Sequence, residues 1–380
     1  MRRSRSMAAA VLVACALVST ATATAATAAP PAAGDAPGAD ALQAALDRVR
    51  ETGAIGAIAE VRQGDAVWRG SSGTSRLGGR LPAPVDGRFR AGSVTKTFTA
   101  TVVLQLVGEG RLGLSDPVGR WLPGLIPSEG ADRITVRDLL RHSSGLPDYT
   151  EGLIRGGGLL AERFRTWTAD EMVRRAVRDA DGGVRPLLFP PGTRHAYSNT
   201  DYVVLGMLVD EVTGHDYRTE IDRRVLRPLG LDDTRMPGSS PFLRGPHSHG
   251  YEALETPYGT LPLDYTTVNM SVAGAAGEIV STTADLDRFF AALLGGELLE
   301  PAELREMTTD SLDDGWGLGV ELVDLPCGPA VGHAGGAPGY STASYHSADG
   351  TRQVTVSWTD WGGDADDVSL DMVTAALCPA

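Results

Sequence analysis

The spacing of hydrophobic and polar residues changes twice along the 380-residue chain and divides it into three parts. Apolar residues at helical spacing over Asp40–Thr52 predict a helix near the N-terminus. From Leu112 to about Gly277 the spacing is again mostly helical, with Gly- and Pro-rich connectors. On either side of this long helical stretch, segments with a period of two predict strands. The predicted strands are Ile55–Arg62, Ala66–Gly73, Gly317–Val323, Ala330–Gly335, Tyr340–His346 and Gln353–Thr359.

This order of elements predicts one α/β (α+β) domain over residues 39–380. Strands at both ends with helices between them predict an antiparallel sheet built from the N- and C-terminal segments and flanked by helices. An all-helical lobe, at about residues 93–277, would then be inserted into the α/β lobe. The predicted helices of the middle and C-terminal parts are Ile134–Arg141, Ala169–Asp179, Thr200–Val212, Tyr217–Leu226, Leu286–Leu294 and Asp366–Leu377.

Residues 1–28 have the pattern of a secretory signal peptide. Arginines at positions 2, 3 and 5 precede the apolar run Met7–Val18, and Ala26–Ala28 supplies a small-residue cleavage site. Residues 29–38 would follow as a flexible linker. We therefore expect a secreted protein. An alternative remains open, because Leu12–Cys15 resembles a lipoprotein box in which Cys15 would carry the lipid anchor.

Composition excludes several classes of partner. The chain has 48 acidic and 34 basic residues and a net charge of −14, which opposes binding to nucleic acid or to anionic lipid. No second stretch approaches 18 apolar residues, so no stable membrane span is expected. We expect a monomer that acts on a small molecule or a peptide.

A single lysine, Lys96, stands among the 34 basic residues, and all the others are arginines. Lysine differs from arginine because it can lose its proton when it is desolvated. Ser93 precedes Lys96 by three residues at the start of a predicted helix, so both side chains lie on one face. The pair predicts a serine nucleophile with an amine beside it.

Two later motifs carry further polar groups. Tyr197–Asn199 follows a Pro- and Gly-rich loop and precedes a helix, so its side chains can point out of a turn. His333–Gly336 opens a strand whose small residues allow a substrate backbone to lie against it. We interpret His142–Gly145 as a helix-ending loop that supports the site. No metal or cofactor is expected, because nucleotide-binding glycine patterns and zinc motifs are absent.

Together these motifs resemble the S-x-x-K, Y-x-N and H-x-G set of serine β-lactamases and penicillin-binding proteins. Their order is similar to that of the branch with secreted D-Ala-D-Ala carboxypeptidases, class C β-lactamases and related esterases. The segment Leu139–Leu146 is typical of the same branch. The resemblance covers about residues 40–378 and implies a β-lactamase/transpeptidase-like fold.

The resemblance also implies how the reaction would begin. Ser93 would attack a carbonyl and form an acyl-enzyme. Either a neutral Lys96 takes the serine proton, or a charged Lys96 holds Tyr197 as a phenolate that takes it. The oxyanion hole would be the backbone N–H groups of Ser93 and Gly336.

The remaining motif residues would support these steps. Tyr197 would pass the proton to the leaving group, and Asn199 would orient Lys96 and the substrate amide. His333 stands where most members of the family have lysine and would line the pocket as a donor.

Specificity is where the chain departs from the family pattern. Carboxypeptidases of this branch hold the substrate's terminal carboxylate with hydroxyls on the H-x-G strand and an arginine on the strand before it. The corresponding substrate-binding residues here, Ala334, Gly335 and Gly336, carry no hydroxyl, and the preceding strand offers Glu321 instead of arginine.

The motifs nevertheless imply a penicillin-binding serine hydrolase of D-alanyl-D-alanine carboxypeptidase type, whose substrate would be an acyl-D-Ala peptide, an ester or a β-lactam. The alternatives are an esterase, a D-amino-acid amidase or peptidase, a class C-like β-lactamase and a penicillin sensor that is acylated without turnover. An amine-bearing substrate would pair with Glu321.

Two cysteines remain if Cys15 is removed with the signal peptide. Cys327 and Cys378 would then form an even pair in an oxidising compartment, where a disulfide is the default. Such a bond would tie the C-terminal segment to an inner strand. The chain-entropy stabilisation for a loop of this size is about 4 kcal/mol.

Overall fold

The computed structural model of the chain describes residues 38–127, 129–153, 158–359 and 366–378. The predicted signal segment and most of the linker lie outside these residues. The strands of the main sheet are β1 (Gly56–Gln63), β2 (Ala66–Gly73), β7 (Glu321–Leu325), β8 (Gly328–Ala337), β9 (Tyr340–Ser347) and β10 (Arg352–Thr359). They form a six-stranded sheet in the order β2-β1-β10-β9-β8-β7.

Both terminal segments contribute to this sheet. Strand β1 pairs antiparallel with its hairpin partner β2 and with the C-terminal strand β10, so that Val61 lies opposite both Trp68 and Val354. The remaining neighbours in the sheet also pair antiparallel. The predicted α/β architecture with an antiparallel sheet flanked by helices is therefore confirmed.

Helices cover both faces of the sheet. Helices α1 (Ala39–Glu51) and α12 (Asp366–Leu377) pack on one face, where Leu42, Leu46 and Val49 are buried at helical spacing. Full burial of an aliphatic side chain contributes about 1.5–3 kcal/mol. Helix α10 (Thr283–Leu294) packs on the other face, and its Phe290 ring stacks on His346 of β9 with ring centroids 4.5 Å apart.

Helix α2 (Thr95–Gly108) occupies the centre of the molecule. Nearly all of its Thr, Phe, Val and Leu side chains are buried, as in a helix enclosed by neighbouring elements. The other helices are α3 (Val118–Trp121), α4 (Val136–Leu140), α5 (Gly158–Glu162), α6 (Ala169–Val177), α7 (Asn199–Thr213), α8 (Tyr217–Ile221), α9 (Arg227–Leu229) and α11 (Pro301–Met307). A π-helical turn, Asp222–Leu226, forms the second half of the helix predicted over Tyr217–Leu226 and leads into α9.

The inserted lobe is not all-helical as predicted. Two further strands, β4 (Tyr251–Thr256) and β5 (Gly259–Asp264), pair as an antiparallel hairpin within it. Most of the described side chains of β5 are exposed, so the hairpin lacks the alternation of buried and exposed residues on which strand prediction depends. A second small pairing joins β3 (Phe89–Arg90) to β6 (Val280–Ser281).

The strand predicted at Gly317–Val323 begins later, at Glu321. Gly319 has a φ of 83°, and a Cβ atom there would lie 2.4 Å from the Cβ of Ala100. Its carbonyl accepts a hydrogen bond from the Thr97 hydroxyl of α2 at 2.8 Å. The segment before Glu321 therefore packs closely on α2 instead of extending the sheet.

Cys327 lies between β7 and β8, and Cys378 follows α12. Their Cα atoms are 5.4 Å apart, a separation that permits a disulfide. The bond itself stays a prediction. Within the described residues, no helix combines the length and the apolar character needed to cross a membrane.

Candidate active site

Ser93 and Lys96 lie together at the N-terminal end of α2. Ser93 is in a short 3₁₀ turn, Gly92–Val94, and remains partly exposed, whereas Lys96 is 0% exposed. The Lys96 Nζ atom is 3.0 Å from the Ser93 Oγ atom. The spacing of three residues therefore brings the two groups into direct contact, as the sequence predicted.

The other neighbours of the Lys96 amine are both hydrogen-bond acceptors. Nζ donates to Asn199 Oδ1 at 2.8 Å and to the carbonyl oxygen of Ala276 at 2.7 Å. A neutral amine has two N–H bonds and one lone pair. If these two oxygens take the two N–H groups, the lone pair is left for the proton of the Ser93 hydroxyl.

Burial has a large effect on the charge of this amine. Desolvation lowers the pKa of Lys96 to about 7, although carboxylates of Asp148, Asp201 and Glu321 oppose the shift. A substantial fraction of the amine is consequently neutral near pH 7. The Lys96 amine can therefore act as a base under ordinary conditions.

Tyr197 contacts the same serine from the other side. Its hydroxyl donates a hydrogen bond to Ser93 Oγ at 2.8 Å, and Lys96 Nζ lies 4.8 Å from the centre of the Tyr197 ring. Burial raises the pKa of Tyr197 above its usual value; the Ser93 contact opposes this rise, and carboxylates of Glu321 and Asp148 add to it. The phenol therefore keeps its proton at neutral pH, which favours the neutral lysine over the phenolate as the base.

Asn199 connects the lysine to a carboxylate that the motif analysis missed. It is the first residue of α7, and its Nδ2 group donates to Asp148 Oδ2 at 2.8 Å. Asp148 is partly exposed and lies two residues after the Leu139–Leu146 motif. Its place on a loop was the available signal, because binding and catalytic residues are disproportionately found on loops.

The backbone of Gly336 lies against the Ser93 turn. A Cβ atom on Gly92, whose φ is 54°, would be 2.7 Å from the Gly336 nitrogen. A Cβ atom on Gly335 would be 2.0 Å from the carbonyl oxygen of Ala91. These contacts explain the glycines and bring the two predicted oxyanion-hole residues side by side.

His333 lies deeper than the sequence suggested. It is 1% exposed, and its ring meets Trp316 edge-on at 5.6 Å between centroids. Its Nδ1 atom is 3.4 Å from Glu321 Oε1, and the other carboxylate oxygen of Glu321 accepts a hydrogen bond from the Tyr345 hydroxyl. Burial lowers the pKa of His333, with Glu321 opposing, which favours the neutral ring.

The predicted substrate-binding residues therefore separate into two groups. Gly336 lines the cleft in front of Ser93, and Ala334 is exposed on the same strand. Glu321 is not among the residues that line the cleft and instead lies beside the buried His333 ring.

A cleft of about 940 Å³ opens in front of Ser93. Its wall combines the loop after α4, the β4–β5 hairpin and the turn between β8 and β9. Three carboxylate residues line it, Asp148, Glu151 and Glu252, and the described lining residues include no arginine, lysine or histidine. Much of the rest of the wall is aromatic and aliphatic, with Tyr149, Leu159, Leu160, Tyr251, Leu254, Leu263, Tyr265, Met270 and Tyr340 among its members.

Comparison with known proteins identifies the family of the chain. The profile of the family described as Beta-lactamase matches residues 39–377. The chain belongs to this family. Penicillin-binding protein 4* of Bacillus subtilis (strain 168) is 30% identical over 308 residues, which cover 76% of this chain and 64% of that protein. The chain thus spans less than two thirds of the length of this relative of the family.

Two solved structures share the fold over about nine tenths of this chain. A D-stereospecific amidohydrolase from Streptomyces sp. is 37% identical with a TM-score of 0.81, and the match covers 90% of this chain and 100% of that chain. The D-amino acid amidase from Ochrobactrum anthropi SV3, solved with D-phenylalanine, is 28% identical with a TM-score of 0.74, over 89% and 97% of the two chains. The chain is a serine hydrolase of the β-lactamase and penicillin-binding protein fold.

Proposed function

We propose that this hydrolase cleaves amides and short peptides of D-amino acids that carry a free α-amine, through an acyl-enzyme on Ser93. The observation that carries the proposal is the charge of the cleft. Asp148 stands on its wall next to the catalytic asparagine, and none of the described lining residues is a cation. Such a wall attracts an ammonium group and repels a carboxylate.

The reaction begins at the Ser93–Lys96 contact. Lys96 takes the serine proton, and Ser93 Oγ bonds to the substrate carbonyl carbon. The negative oxygen that results is stabilised by the backbone N–H groups of Ser93 and Gly336. As the carbon–nitrogen bond breaks and the carbonyl re-forms, Tyr197, whose hydroxyl is 2.8 Å from Ser93 Oγ, gives its proton to the leaving nitrogen and receives the proton held by Lys96. Water then cleaves the ester by the same proton transfers in reverse.

Asp148 supplies the proposed recognition of the substrate. Its Oδ2 atom is fixed by Asn199, and Asn199 Oδ1 is fixed in turn by Lys96, so the carboxylate is held at a defined distance from the nucleophile. A charge-assisted hydrogen bond to a substrate ammonium contributes about 1.5–3 kcal/mol. The names of the two solved relatives, which act on D-amino-acid amides or D-stereospecifically, support the same assignment.

The wall gives less support to a D-alanyl-D-alanine carboxypeptidase, which was the leading expectation from the motifs. That activity requires a partner for the terminal carboxylate of the peptide. Glu151 and Glu252 on the cleft wall would repel this group. Simple esters need no partner for an ammonium group or for a carboxylate. They remain the second candidate substrates, because the acylating groups around Ser93 are complete.

A substrate panel tests the proposal. D-phenylalanine amide, its N-acetylated form, L-phenylalanine amide, an acyl-D-Ala-D-Ala peptide, a p-nitrophenyl ester and the β-lactam nitrocefin are compared by kcat/KM. We expect the free D-amide to exceed the N-acetylated amide by about 10- to 150-fold, the ratio that corresponds to 1.5–3 kcal/mol. Equal rates for the two amides, or faster release of D-alanine than of ammonia, would contradict it.

We also propose that the protein is exported by residues 1–28 and acts as a monomer with a Cys327–Cys378 disulfide. N-terminal sequencing of the culture supernatant protein tests export and the cleavage site. Retention of Cys15 with a lipid would contradict simple secretion. Sedimentation measurements test the monomer.

A further inference from the structure

His142 and Asp201 form a buried polar pair behind the Tyr197 ring. Their side chains are 1% and 0% exposed, and His142 Nδ1 lies 3.2 Å from Asp201 Oδ2. The centroids of the His142 and Tyr197 rings are 4.3 Å apart. His142 therefore touches the candidate proton donor, and neither member of the pair lines the cleft itself.

His142 also holds the chain on both sides of Tyr197. Its carbonyl oxygen accepts the Ala196 N–H at 2.9 Å, and its ring Nδ1 accepts the Ser198 N–H at 3.3 Å. The backbone of His142 has a φ of 58°, which is unfavourable for a residue with a side chain. Such a conformation persists where surrounding contacts require it, and here it accompanies two hydrogen bonds to the Tyr197 turn.

The hydrogen bond from the Ser198 N–H shows which ring nitrogen of His142 carries no proton. A ring nitrogen that accepts an N–H carries no hydrogen of its own. The ring proton of His142 is therefore on Nε2, which is buried and has no hydrogen-bond partner among the described residues, and any second donor to Nδ1 shares its lone pair with the Ser198 N–H. Asp201 Oδ2 faces this same nitrogen, and two acceptors without a proton between them would repel each other. Asp201 Oδ1 already accepts the hydroxyl of Ser144 at 2.5 Å, so the remaining oxygen Oδ2 is the position for a proton.

We propose that Asp201 is protonated in the active enzyme and donates its O–H to His142 Nδ1, so that an uncharged pair positions the Tyr197 turn. Burial supports this assignment, because it raises the pKa of Asp201 and lowers the pKa of His142, each well away from its usual value. The titratable groups that surround the pair are Lys96, Asp138, Asp148, His195, Tyr197, Tyr202 and His333.

An uncharged Asp201 also matters for Lys96. A carboxylate at Asp201 raises the pKa of the Lys96 amine, since it stabilises the ammonium form. Protonation of Asp201 removes this contribution and keeps more of the amine neutral. His142 and Asp201 are thus positioning residues that act through Tyr197 and Lys96. The inference rests on the roles proposed above for those two residues and does not depend on the substrate.

Infrared spectroscopy tests the proton directly. At pH 8 the difference spectrum between wild type and Asp201→Asn should show the loss of one carbonyl band of a protonated carboxylic acid. Asp210→Asn, on the same helix, is the matched control. Burial raises the pKa of Asp210 only to about 6, so it is ionised at pH 8 and its replacement should remove no such band. The difference spectrum separates Asp201 from other buried acids such as Asp287. An unchanged acid band in Asp201→Asn would overturn the proposal.

Kinetics on a p-nitrophenyl ester tests the positioning role. Asn reproduces a protonated Asp, because its amide N–H can donate to His142 and its oxygen can accept from Ser144. We expect Asp201→Asn to keep kcat/KM within about 3-fold, with its acid limb unmoved, and Asp201→Ala to lose about 10-fold or more in kcat at similar KM. A loss of about 30-fold in Asp201→Asn, or an acid limb moved down by about one pH unit, would show an ionised Asp201 and overturn the proposal.

If the ester is not hydrolysed by any variant, the proposed catalytic roles fail while the infrared result still decides the protonation of Asp201. Thermal unfolding of both variants completes the test. If Asp201→Ala does not fold, the ester kinetics of Asp201→Asn and its infrared difference spectrum against the wild type still decide the proposal.

Discussion

The two sides of the cleft differ in burial and in the way that charge acts on each of them. On the catalytic side, Lys96 is fully buried, and its amine contacts Ser93, Asn199 and Ala276 within 3.0 Å. On the outer side, Glu151 and Glu252 are exposed, and strand β5 is largely solvent-facing. Desolvation therefore controls charge on the first side, while solvent-screened charge controls attraction on the second.

This difference teaches how one family can serve several substrates. The acylating groups are held by a central helix and by contacts that allow few changes. The outer side consists of a hairpin and loops, where a substitution costs little stability. We infer that the catalytic side determines the reaction, and the outer side determines which acyl group and which leaving group arrive there.

The largest effect is expected from substitution of Lys96 on the catalytic side. Lys96→Arg should lose about 100- to 10,000-fold in kcat/KM, nearly as much as Lys96→Ala, because arginine keeps the charge but cannot give up its proton. Mass spectrometry after a fluorophosphonate should show one adduct, on Ser93. Near-wild-type rates for Lys96→Arg, or an adduct on Ser143, Ser144 or Ser198 with Ser93 unmodified, would refute the assignment.

The pH dependence of kcat/KM also tests the catalytic side. The base must be neutral, and burial lowers the pKa of Lys96 to about 7, so kcat/KM should rise with pH and level off above about 7. Below that midpoint the rate should fall by about tenfold per pH unit. A profile that rises only at strongly alkaline pH would indicate a Tyr197 phenolate instead, since burial raises the pKa of that phenol.

The outer side is tested by Asp148→Asn. For D-phenylalanine amide we expect kcat/KM to fall by about 10- to 150-fold, chiefly through KM, because the charge-assisted hydrogen bond to the ammonium is lost. Glu151→Gln, on the same loop, is the matched control and should change the rate by less than about threefold. An equal loss on a p-nitrophenyl ester that lacks an amine would show that Asp148 only supports Asn199.

A smaller gain is expected from adding hydroxyls to the strand beside Ser93. The double change Ala334→Thr with Gly336→Thr should raise acyl-D-Ala-D-Ala cleavage by about tenfold, since each hydroxyl can donate to the terminal carboxylate. A Cβ atom on Gly336 meets nothing within 4 Å, so the site has room. The double change Ala334→Val with Gly336→Val, of similar size, is the control. An equal gain from it would exclude the hydroxyls as the cause.

The Cys327–Cys378 bond should affect stability and leave both sides of the cleft unchanged. Thiol counting under denaturing, non-reducing conditions should find no free thiol in the secreted protein. Replacement of both cysteines by serine should lower the free energy of unfolding by up to about 4 kcal/mol, with kcat/KM on the ester unaltered. Two free thiols would refute the bond.

The sequence by itself determined the architecture and the chemistry of the catalytic side. Helical and alternating periods located most strands and helices, because burial on one face of a regular element imposes a regular spacing. The lone lysine and the Tyr197–Asn199 motif predicted contacts that the structure places within hydrogen-bond distance. These features are local or occur in fixed order, and sequence can show them.

Only the tertiary structure decided the rest. Strand β5 of the β4–β5 hairpin is largely exposed and carries no alternating burial, so no period marks it. Asp148 joins the site through a hydrogen bond across 51 residues, and Glu321 is brought next to His333 by strand pairing and not to the substrate. The charge states of Lys96 and Asp201 depend on desolvation, which arises when distant segments close around a side chain.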